Sequence, residues 1–137
     1  MAKYVIDDAY FTYNGVDLSS YVKSITIAST FKELQSSAMG DSWEEFTGGL
    51  GSWTMSVEFI QDHGSSTVDD TLWAAHTGRA ANAVVVRPDS AAVASTNPQW
   101  TGNALVPSYS PIDGAHGALA TTSTNFRGSG ALTRATS

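Results

Sequence analysis

Three histidines are the side chains with which this sequence could do acid–base or metal chemistry at neutral pH: His63, His76 and His116. His63 follows Asp62 directly, and Asp69 and Asp70 come shortly after it. Such a cluster could hold a metal ion or move a proton, but it lies in a glycine-containing turn, so we interpret it as solvated. Neither an H-x-x-x-H nor an H-E-x-x-H spacing occurs, so the histidines do not predict a zinc site.

Other catalytic signatures are missing as well. Glu44 and Glu45 form a carboxylate pair, but adjacent side chains point apart in extended chain, so we expect a solvated or intersubunit charge. The G-G-L-G run at residues 48–51 precedes a predicted strand, whereas a phosphate-binding loop follows a strand and opens a helix. The sequence has no cysteine and hence no thiol nucleophile. We therefore predict that the protein is not an enzyme and uses no metal or cofactor.

Length, charge and composition favour a single assembly domain. A chain of 137 residues fits one domain, which we place at residues 1–137. Acids outnumber bases 13 to 7, which argues against a surface that binds DNA or RNA. Only 15% of the residues are charged, which is typical of wide, weakly charged faces. Because no apolar run suits a signal peptide or a membrane span, we expect a cytosolic protein without a membrane partner.

Residues 50–62 show the strongest structural pattern in the sequence. Four large apolar side chains alternate with polar ones there: Trp53, Met55, Val57 and Phe59. The intervening residues are Ser52, Thr54, Ser56 and Glu58. A period of two indicates a long strand with one buried and one solvated face. We predict that it is the central strand of the domain.

The remaining elements predict a mainly β fold (α+β class) of about seven strands with one flanking helix. Residues 9–13 and 16–27 are predicted to be extended and joined at Asn14-Gly15, a strong hairpin signal. A helix opens at residues 66–70, where Ser66 or Thr67 can cap it, and Gly78 is placed to end it. Further strands are predicted at residues 83–87, 100–109, 118–126 and 131–135.

Residues 29–49 lack a clean period and are predicted to form a long loop arm. Five large apolar side chains occur there among serines, glycines and acids: Phe31, Leu34, Met39, Trp43 and Phe46. Disordered segments lack such side chains, and long loops in compact domains are usually functional. Either the arm folds onto its own domain, or its apolar residues are buried only against another subunit.

Four segments in order resemble the major tail tube proteins of long-tailed, siphovirus-type phages, particularly phages of actinobacteria. They span residues 11–27, 36–62, 86–114 and 119–135, which is nearly the whole chain. The most specific pieces are A-M-G-D at residues 38–41, S-W-T-M-S-V-E-F at residues 52–59, and the R-P and N-P-Q-W-T-G-N-A-L-V runs within residues 87–106. The resemblance rests on pattern and order, because no catalytic motif anchors it.

The resemblance implies a fold and an assembly. Subunits of this kind have two packed antiparallel β-sheets, in a sandwich or barrel arrangement, flanked by a helix. Six of them form a ring, rings stack into a hollow tube, and one sheet of each subunit lines the lumen. The implied partners are further copies of the chain, the tape measure protein inside, and the tail terminator and distal tail proteins at the ends. DNA passes through without specific binding. The implied location is the virion tail, after synthesis in the host cytoplasm.

The resemblance and the sequence pattern together predict two sets of functional residues. The inter-subunit candidates all lie in the arm: Phe31, Leu34, Met39, Asp41, Trp43 and Phe46. The lumen-facing candidates lie on the solvated face of two predicted strands: Ser24, Thr26, Thr54, Ser56 and Glu58. The alternative is that this face lies beneath the helix or on the outside. Six chains of −6 each carry about −36, so we expect an acidic wall that repels phosphates.

Two other functions stay open at this point. A tail terminator or head–tail connector would form a single ring and would not polymerise. A carbohydrate-binding β-sandwich would need an exposed stacking platform, which could come from Trp43, Trp53, Trp73 and Trp100.

Overall fold

The computed structural model describes residues 8–137, which contain eight strands and one α-helix. The strands are β1 (Tyr10–Tyr13), β2 (Val16–Asp17), β3 (Val22–Gln35), β4 (Phe46–Ile60), β5 (Asn82–Arg87), β6 (Gln99–Ser108), β7 (Thr121–Gly128) and β8 (Thr133–Ala135). Helix α1 (Val68–Gly78) lies between β4 and β5, and a short 3-10 helix (Ser19–Tyr21) precedes β3. The predicted mainly β class with one helix is confirmed, with one more strand than expected.

All strand pairs are antiparallel, and they form one continuous sheet in the order β2-β1-β5-β6-β7-β4-β3, with β8 paired to β6. The sheet folds over on itself, because Phe11 in β1 packs against Phe59 in β4 and Phe126 in β7, at ring distances of 5.6 and 6.0 Å. The prediction of two packed sheets is therefore only partly confirmed. Two layers enclose the core, but one hydrogen-bonded sheet supplies both.

Strand β4 has the predicted alternation and lies between β3 and β7. Its four apolar side chains, Trp53, Met55, Val57 and Phe59, are at most 3% exposed, whereas Ser52, Thr54 and Ser56 are exposed. The buried side chains belong to the same core cluster as the apolar stripe of α1, which consists of Val68, Leu72 and Ala75. Removal of this apolar area from water is the main force that fixes which face of β4 points inward.

The predicted turn at Asn14-Gly15 is confirmed, because both residues have positive φ angles, 53° and 80°, as a two-residue hairpin turn requires. The continuous extended segment predicted for residues 16–27 is wrong in its middle. Leu18 turns into the core, and the Ser19 hydroxyl oxygen accepts a hydrogen bond from the Phe11 amide at 2.9 Å. The Ser19 side chain takes the place of a strand partner for Phe11, so β2 ends after two residues.

Helix α1 begins and ends slightly differently from the prediction. Thr67 occupies the cap position, but its hydroxyl lies 3.0 Å from the Asp62 carbonyl oxygen and 2.6 Å from that of Gly64 and makes no bond to the helix amides. At the other end Arg79, and not Gly78, adopts the left-handed conformation, with φ 55°. None of the helices in residues 8–137 has the length and apolar character needed to span a bilayer.

The indole of Trp53 lies flat beneath two neighbouring strands, where only glycine leaves room for it. A methyl group on Gly102 would come within 2.7 Å of the indole, and one on Gly128 would overlap the ring. The indole nitrogen donates a hydrogen bond to the carbonyl oxygen of Gly130 at 3.2 Å. Trp53 thus joins β4 to β6, β7 and the turn before β8.

We expect Gly128→Ala to lower the free energy of unfolding by about 1–3 kcal/mol, because the added methyl group overpacks the site against the indole. Urea unfolding monitored by circular dichroism measures this difference. Gly51→Ala in β4 is the matched control, since its methyl group would meet only the Thr30 carbonyl oxygen at 3.7 Å. Equal stability of both variants would contradict the role given to Trp53.

Candidate assembly surfaces

Most of the segment predicted as a loop is a β-hairpin, which we call the arm (residues 29–49). Strands β3 and β4 stay paired as far as Gln35 and Phe46, so the loop prediction is wrong except for residues 36–45, which we call the tip. These strands could not be recognised from the sequence, for two reasons. The register shifts between Phe31 and Glu33, and both faces are exposed, so no alternation of apolar and polar residues marks them.

The tip is held in a defined turn by its own polar groups. The Ala38 amide donates to the Asp41 carboxylate at 2.6 Å, and the Asp41 amide donates to the Ala38 carbonyl oxygen at 3.1 Å. Gly40 between them has φ +93°, a conformation that favours glycine. The Ser37 hydroxyl oxygen accepts the Glu45 amide at 2.6 Å. Asp41 therefore has a local structural role, and its role at an interface stays a prediction.

The apolar side chains of the arm are not buried in their own domain. Met39 is fully exposed and Trp43 is 85% exposed, while Phe31, Leu34 and Phe46 are more than half exposed. The interpretation that the arm folds onto its own domain is therefore wrong. Leu50, 80% exposed, belongs to the same surface. Sequence reasoning missed it because it falls within a glycine run and next to the register shift.

The arm presents apolar groups on both of its faces. Phe46 lies opposite Gln35 in the ladder, and Phe31 is four residues before Gln35, so both phenylalanines share the face that continues the core side of the sheet. Leu34 lies on the other face, which continues the side of the sheet that points away from the core. A partner that covers the arm must therefore contact it from two directions.

We expect Trp43→Ser to leave the unfolding free energy of the monomer within about 0.5 kcal/mol of wild type, because Trp43 is exposed in the free chain. Leu72→Ala in α1 is the control for a folding role and should cost about 2–5 kcal/mol, since Leu72 is completely buried. Chemical denaturation at a concentration that keeps the chain monomeric measures both. A loss for Trp43→Ser that approaches the loss for Leu72→Ala would give Trp43 a role in the fold instead.

The five predicted lumen residues lie together on one face of the sheet. Ser24 pairs with Glu58, Thr26 pairs with Ser56, and Thr54 lies in the next position of the same face. These side chains are exposed, except for the partly covered Glu58. The alternative that they lie beneath the helix is wrong, because α1 packs against the opposite, apolar side. Whether the face lines a lumen stays a prediction.

Strand β7 adds three residues that the sequence did not nominate: Ser123, Asn125 and Arg127. They lie opposite Glu58, Ser56 and Thr54, and the Ser56 hydroxyl donates to the Asn125 side-chain oxygen at 2.8 Å. We call this surface of β3, β4 and β7 the polar face. The sequence of β7 shows no alternation of apolar and polar residues, because the inward residues Thr122 and Thr124, both fully buried, are polar as well.

The polar face is not acidic, contrary to the expectation of an acidic wall. Lys23 and Glu58 form an exposed ion pair at 4.0 Å, and Arg127 adds another positive charge. The acids lie elsewhere in the described chain, notably at the tip (Asp41, Glu44, Glu45) and around the start of α1. The net charge of −6 therefore does not describe this face.

The cluster around His63 is a structural turn. The ring of His63 lies 3.3 Å from the Asp69 carboxylate, and the hydroxyl of Tyr109 donates to the same carboxylate at 2.7 Å. Burial, with a smaller effect of Asp69, raises the pKa of Tyr109 to about 12. The Gly64 amide donates to the Asp62 carboxylate and thereby lowers its pKa. Nowhere in residues 8–137 do three metal-ligating side chains meet.

The four tryptophans do not form a stacking platform. Trp53 is buried, Trp43 is at the tip, Trp73 is on the exposed side of α1, and Trp100 is on β6 with the Arg134 guanidinium 5.9 Å from its ring. These positions lie on four different elements, so the carbohydrate-binding alternative lacks the surface it requires.

Comparison with solved structures finds the same fold in tube-forming particles. The tail of an empty gene transfer agent particle, refined with C6 symmetry, has a TM-score of 0.73 at 15% identity, covering 92% of this chain and 94% of the other. The SPP1 tail tube has a TM-score of 0.74 at 11% identity, covering 95% of this chain and 77% of the other. No family model and no curated protein matches the sequence.

A tube-terminating structure has the same fold as well. The cap of the anti-feeding prophage, which terminates its tube, has a TM-score of 0.70 at 10% identity and covers 100% of this chain and 95% of the other. At these identities the comparisons show the fold alone. The chain therefore has the fold found in subunits of phage-type tail tubes and of a tube cap.

Proposed function

We propose that the chain is a tail tube subunit, whose hexameric rings stack into a hollow tube in a siphovirus-type phage tail. The observation that carries this proposal is the arm: a paired hairpin that extends past the core and exposes five large apolar side chains. Such an arm does not stabilise an isolated monomer, because its apolar groups stay exposed to water. Exposed apolar groups of this kind favour association. In a ring or stack, neighbouring copies bury them.

The free edge of β3 supports the same proposal. Strand β3 has 14 residues and ends the sheet, and no strand among residues 8–137 pairs with its outer edge. Strands in globular domains usually have 3–10 residues, and a long unpaired edge invites pairing with another chain. Closure of a ring satisfies the edges of all subunits together. The C6 symmetry of the gene transfer agent tail supports six copies per ring.

The chemistry of the polar face suits the inner wall of a conduit. Hydroxyl and amide groups dominate it, and Lys23 is paired with Glu58, which leaves Arg127 as its one unpaired charge among the residues named. DNA-binding surfaces need clustered Lys and Arg to displace counterions from phosphates. A wall with few such groups lets DNA pass without specific binding, and it accommodates the tape measure protein before ejection.

The remaining roles follow from the same assembly. The arm residues Phe31, Leu34, Met39, Trp43 and Phe46 are buried between subunits, and Asp41 keeps the tip in shape. The tail terminator and the distal tail proteins would bind the two ends of the tube. The protein would accumulate in the host cytoplasm and function in the virion, and an actinobacterial host is part of this proposal.

We expect the purified protein to form long hollow tubes in negative-stain electron micrographs as its concentration is raised. Trp43→Ser should form none at the concentrations where wild type is fully assembled, because it removes the largest exposed apolar side chain of the tip. Circular dichroism should show that the variant is folded. Monomers at every concentration, for wild type as well, would contradict the proposal.

A tube terminator is the second candidate, because the cap of the anti-feeding prophage shares the fold over the whole chain. It would give single rings that never stack in the same micrographs. The free edge of β3 and the arm would still be buried around the ring, so only the stacking distinguishes the two functions.

We expect Ser56→Cys, the only cysteine in its chain, to react in assembled tubes with a small maleimide and not with a large polyethylene-glycol maleimide, because the lumen excludes the polymer. Ala74→Cys on the exposed side of α1 is the control and should react with both reagents. Mass spectrometry measures the labelled fraction. Equal reaction of Ser56→Cys with both reagents would place the polar face on the outside.

A further inference from the structure

A groove of about 600 Å³ lies between helix α1 and the outer side of β6. Trp73 of α1 and Leu105 and Pro107 of β6 supply its apolar surface. Leu105 and Pro107 flank the buried Val106, so their side chains point away from the core. The ring of His76 fastens the helix to the strand, because its Nδ1 lies 2.9 Å from the Val106 carbonyl oxygen. The two walls of the groove are therefore held in a fixed relation.

Trp73 is the residue of α1 that the fold of the domain does not explain. Its side chain is 51% exposed, whereas the apolar stripe of the helix is buried in the core. The side of a surface helix that faces water is normally polar. The indole lies 6.0 Å from the His76 ring and borders the groove. An exposed tryptophan beside other apolar groups is typical of the anchor of a protein interface.

The groove has a positive charge at one end. Arg79 lines it there, and no carboxylate in residues 8–137 lies within ion-pair distance of its guanidinium. The acids of α1 lie at the other end of the helix and are occupied. Asp69 accepts the Tyr109 hydroxyl at 2.7 Å, and Asp70 accepts the Ser66 amide at 3.0 Å. A complementary segment would present an apolar side chain next to an acid.

The β6–β7 loop (residues 109–120) has this combination. Among the large apolar side chains that are exposed in residues 8–137, all but three belong to the arm or to the adjoining Leu50. The three are Trp73 itself and two side chains of this loop, Ile112 at 88% and Leu119 at 68% exposed. Asp113 follows Ile112 directly. The loop thus presents an apolar group beside a carboxylate, outside the surface that the arm provides.

The loop of a chain does not fill the groove of the same chain. The Gln61 side-chain amide donates to the Pro111 carbonyl oxygen at 2.7 Å, and the Thr122 hydroxyl donates to that of Ser110 at 2.8 Å. These bonds fix the start of the loop to the ends of β4 and β7. Because Ile112 directly follows Pro111, it cannot swing over to the groove, and its side chain stays exposed. The occupant must therefore come from another molecule.

We propose that the groove between α1 and β6 receives the β6–β7 loop of a second copy of this chain, with Ile112 packed against Trp73 and Leu105, and Asp113 paired with Arg79. This inference rests on the proposed function, because it adds a contact between subunits that is formed without the arm. The loop and the groove are different surfaces, so each subunit gives one contact and receives one. A head-to-tail contact of this kind can close a ring.

Single-cysteine variants test the contact directly, because the natural chain has no cysteine. Thr77→Cys at the groove and Ala115→Cys in the loop are mixed, allowed to assemble, and treated with a short bis-maleimide. Each molecule has one thiol, so a peptide that links residues 77 and 115 must join two molecules. Ser42→Cys at the tip of the arm replaces Ala115→Cys in the control mixture.

We expect 77–115 links in assembled material and no 77–42 links. Trp73→Ala in the Thr77→Cys chain should lower the 77–115 yield at least about tenfold, the effect of losing a central aromatic anchor. Ala74→Gln on the other side of α1 is the control and should leave the yield unchanged. Circular dichroism should show that both variants are folded.

A charge exchange tests the ion pair separately from the apolar contact. Arg79→Glu in the Thr77→Cys chain should lower the 77–115 yield about fivefold, because two acids would then meet. Asp113→Arg in the Ala115→Cys partner should restore the yield, since the pair is formed again with its charges exchanged. A loss of folding in one variant would not be repaired by a change in the other molecule.

Tubes or rings without 77–115 links would overturn the proposed contact and leave the proposed function intact. The same holds for a yield that Trp73→Ala does not change, or for a charge exchange that does not restore it. Links between residues 77 and 42 instead would assign the groove to the arm and would also overturn the contact. Absence of assembly altogether would overturn both proposals.

Discussion

The register between β3 and β4 is the constraint on which the rest of the structure depends. It places Ile25, Ile27, Met55 and Val57 toward the core and Ser24, Thr26, Thr54 and Ser56 away from it. A slip by one residue would exchange the two sets and expose the core. The same ladder continues into the arm, with one register shift between Phe31 and Glu33. The fold of the domain and the direction of its projecting hairpin are therefore set by one pairing.

The arm exposes apolar groups that the fold of its own domain does not use. Burial of a large apolar side chain contributes about 1.5–3 kcal/mol, and Phe31, Leu34, Met39, Trp43 and Phe46 forgo most of this in the free chain. The core does not need them, because the aromatic contacts of Phe11 and Phe126 and the apolar stripe of α1 lie elsewhere. In the proposed assembly, folding and association would therefore draw on separate residues, and a substitution could affect one without the other.

The sequence predicted the parts of the fold in which burial alternates along the chain. Strand β4 shows a period of two that reflects the core, residues 14–15 are of the types that a hairpin turn favours, and a helix follows the capping signal at residues 66–70; all three are confirmed. The strands of the arm could not be found this way, because neither of their faces is buried and a register shift interrupts them. Strand β7 was placed only approximately, since Thr122 and Thr124 are buried although polar.

The position of Trp53 has a mechanical consequence. Its indole is clamped against Gly102 in β6 and Gly128 in β7 and is tied to the turn at Gly130. Strands joined only by backbone hydrogen bonds can shear and change their twist, but three strands fastened to one rigid ring cannot slide past each other without expelling it. The curvature of this part of the sheet is thus fixed inside each subunit. In a ring of such subunits this part of each wall segment would keep its curvature, so a change in the width of the bore would have to come from the contacts between subunits.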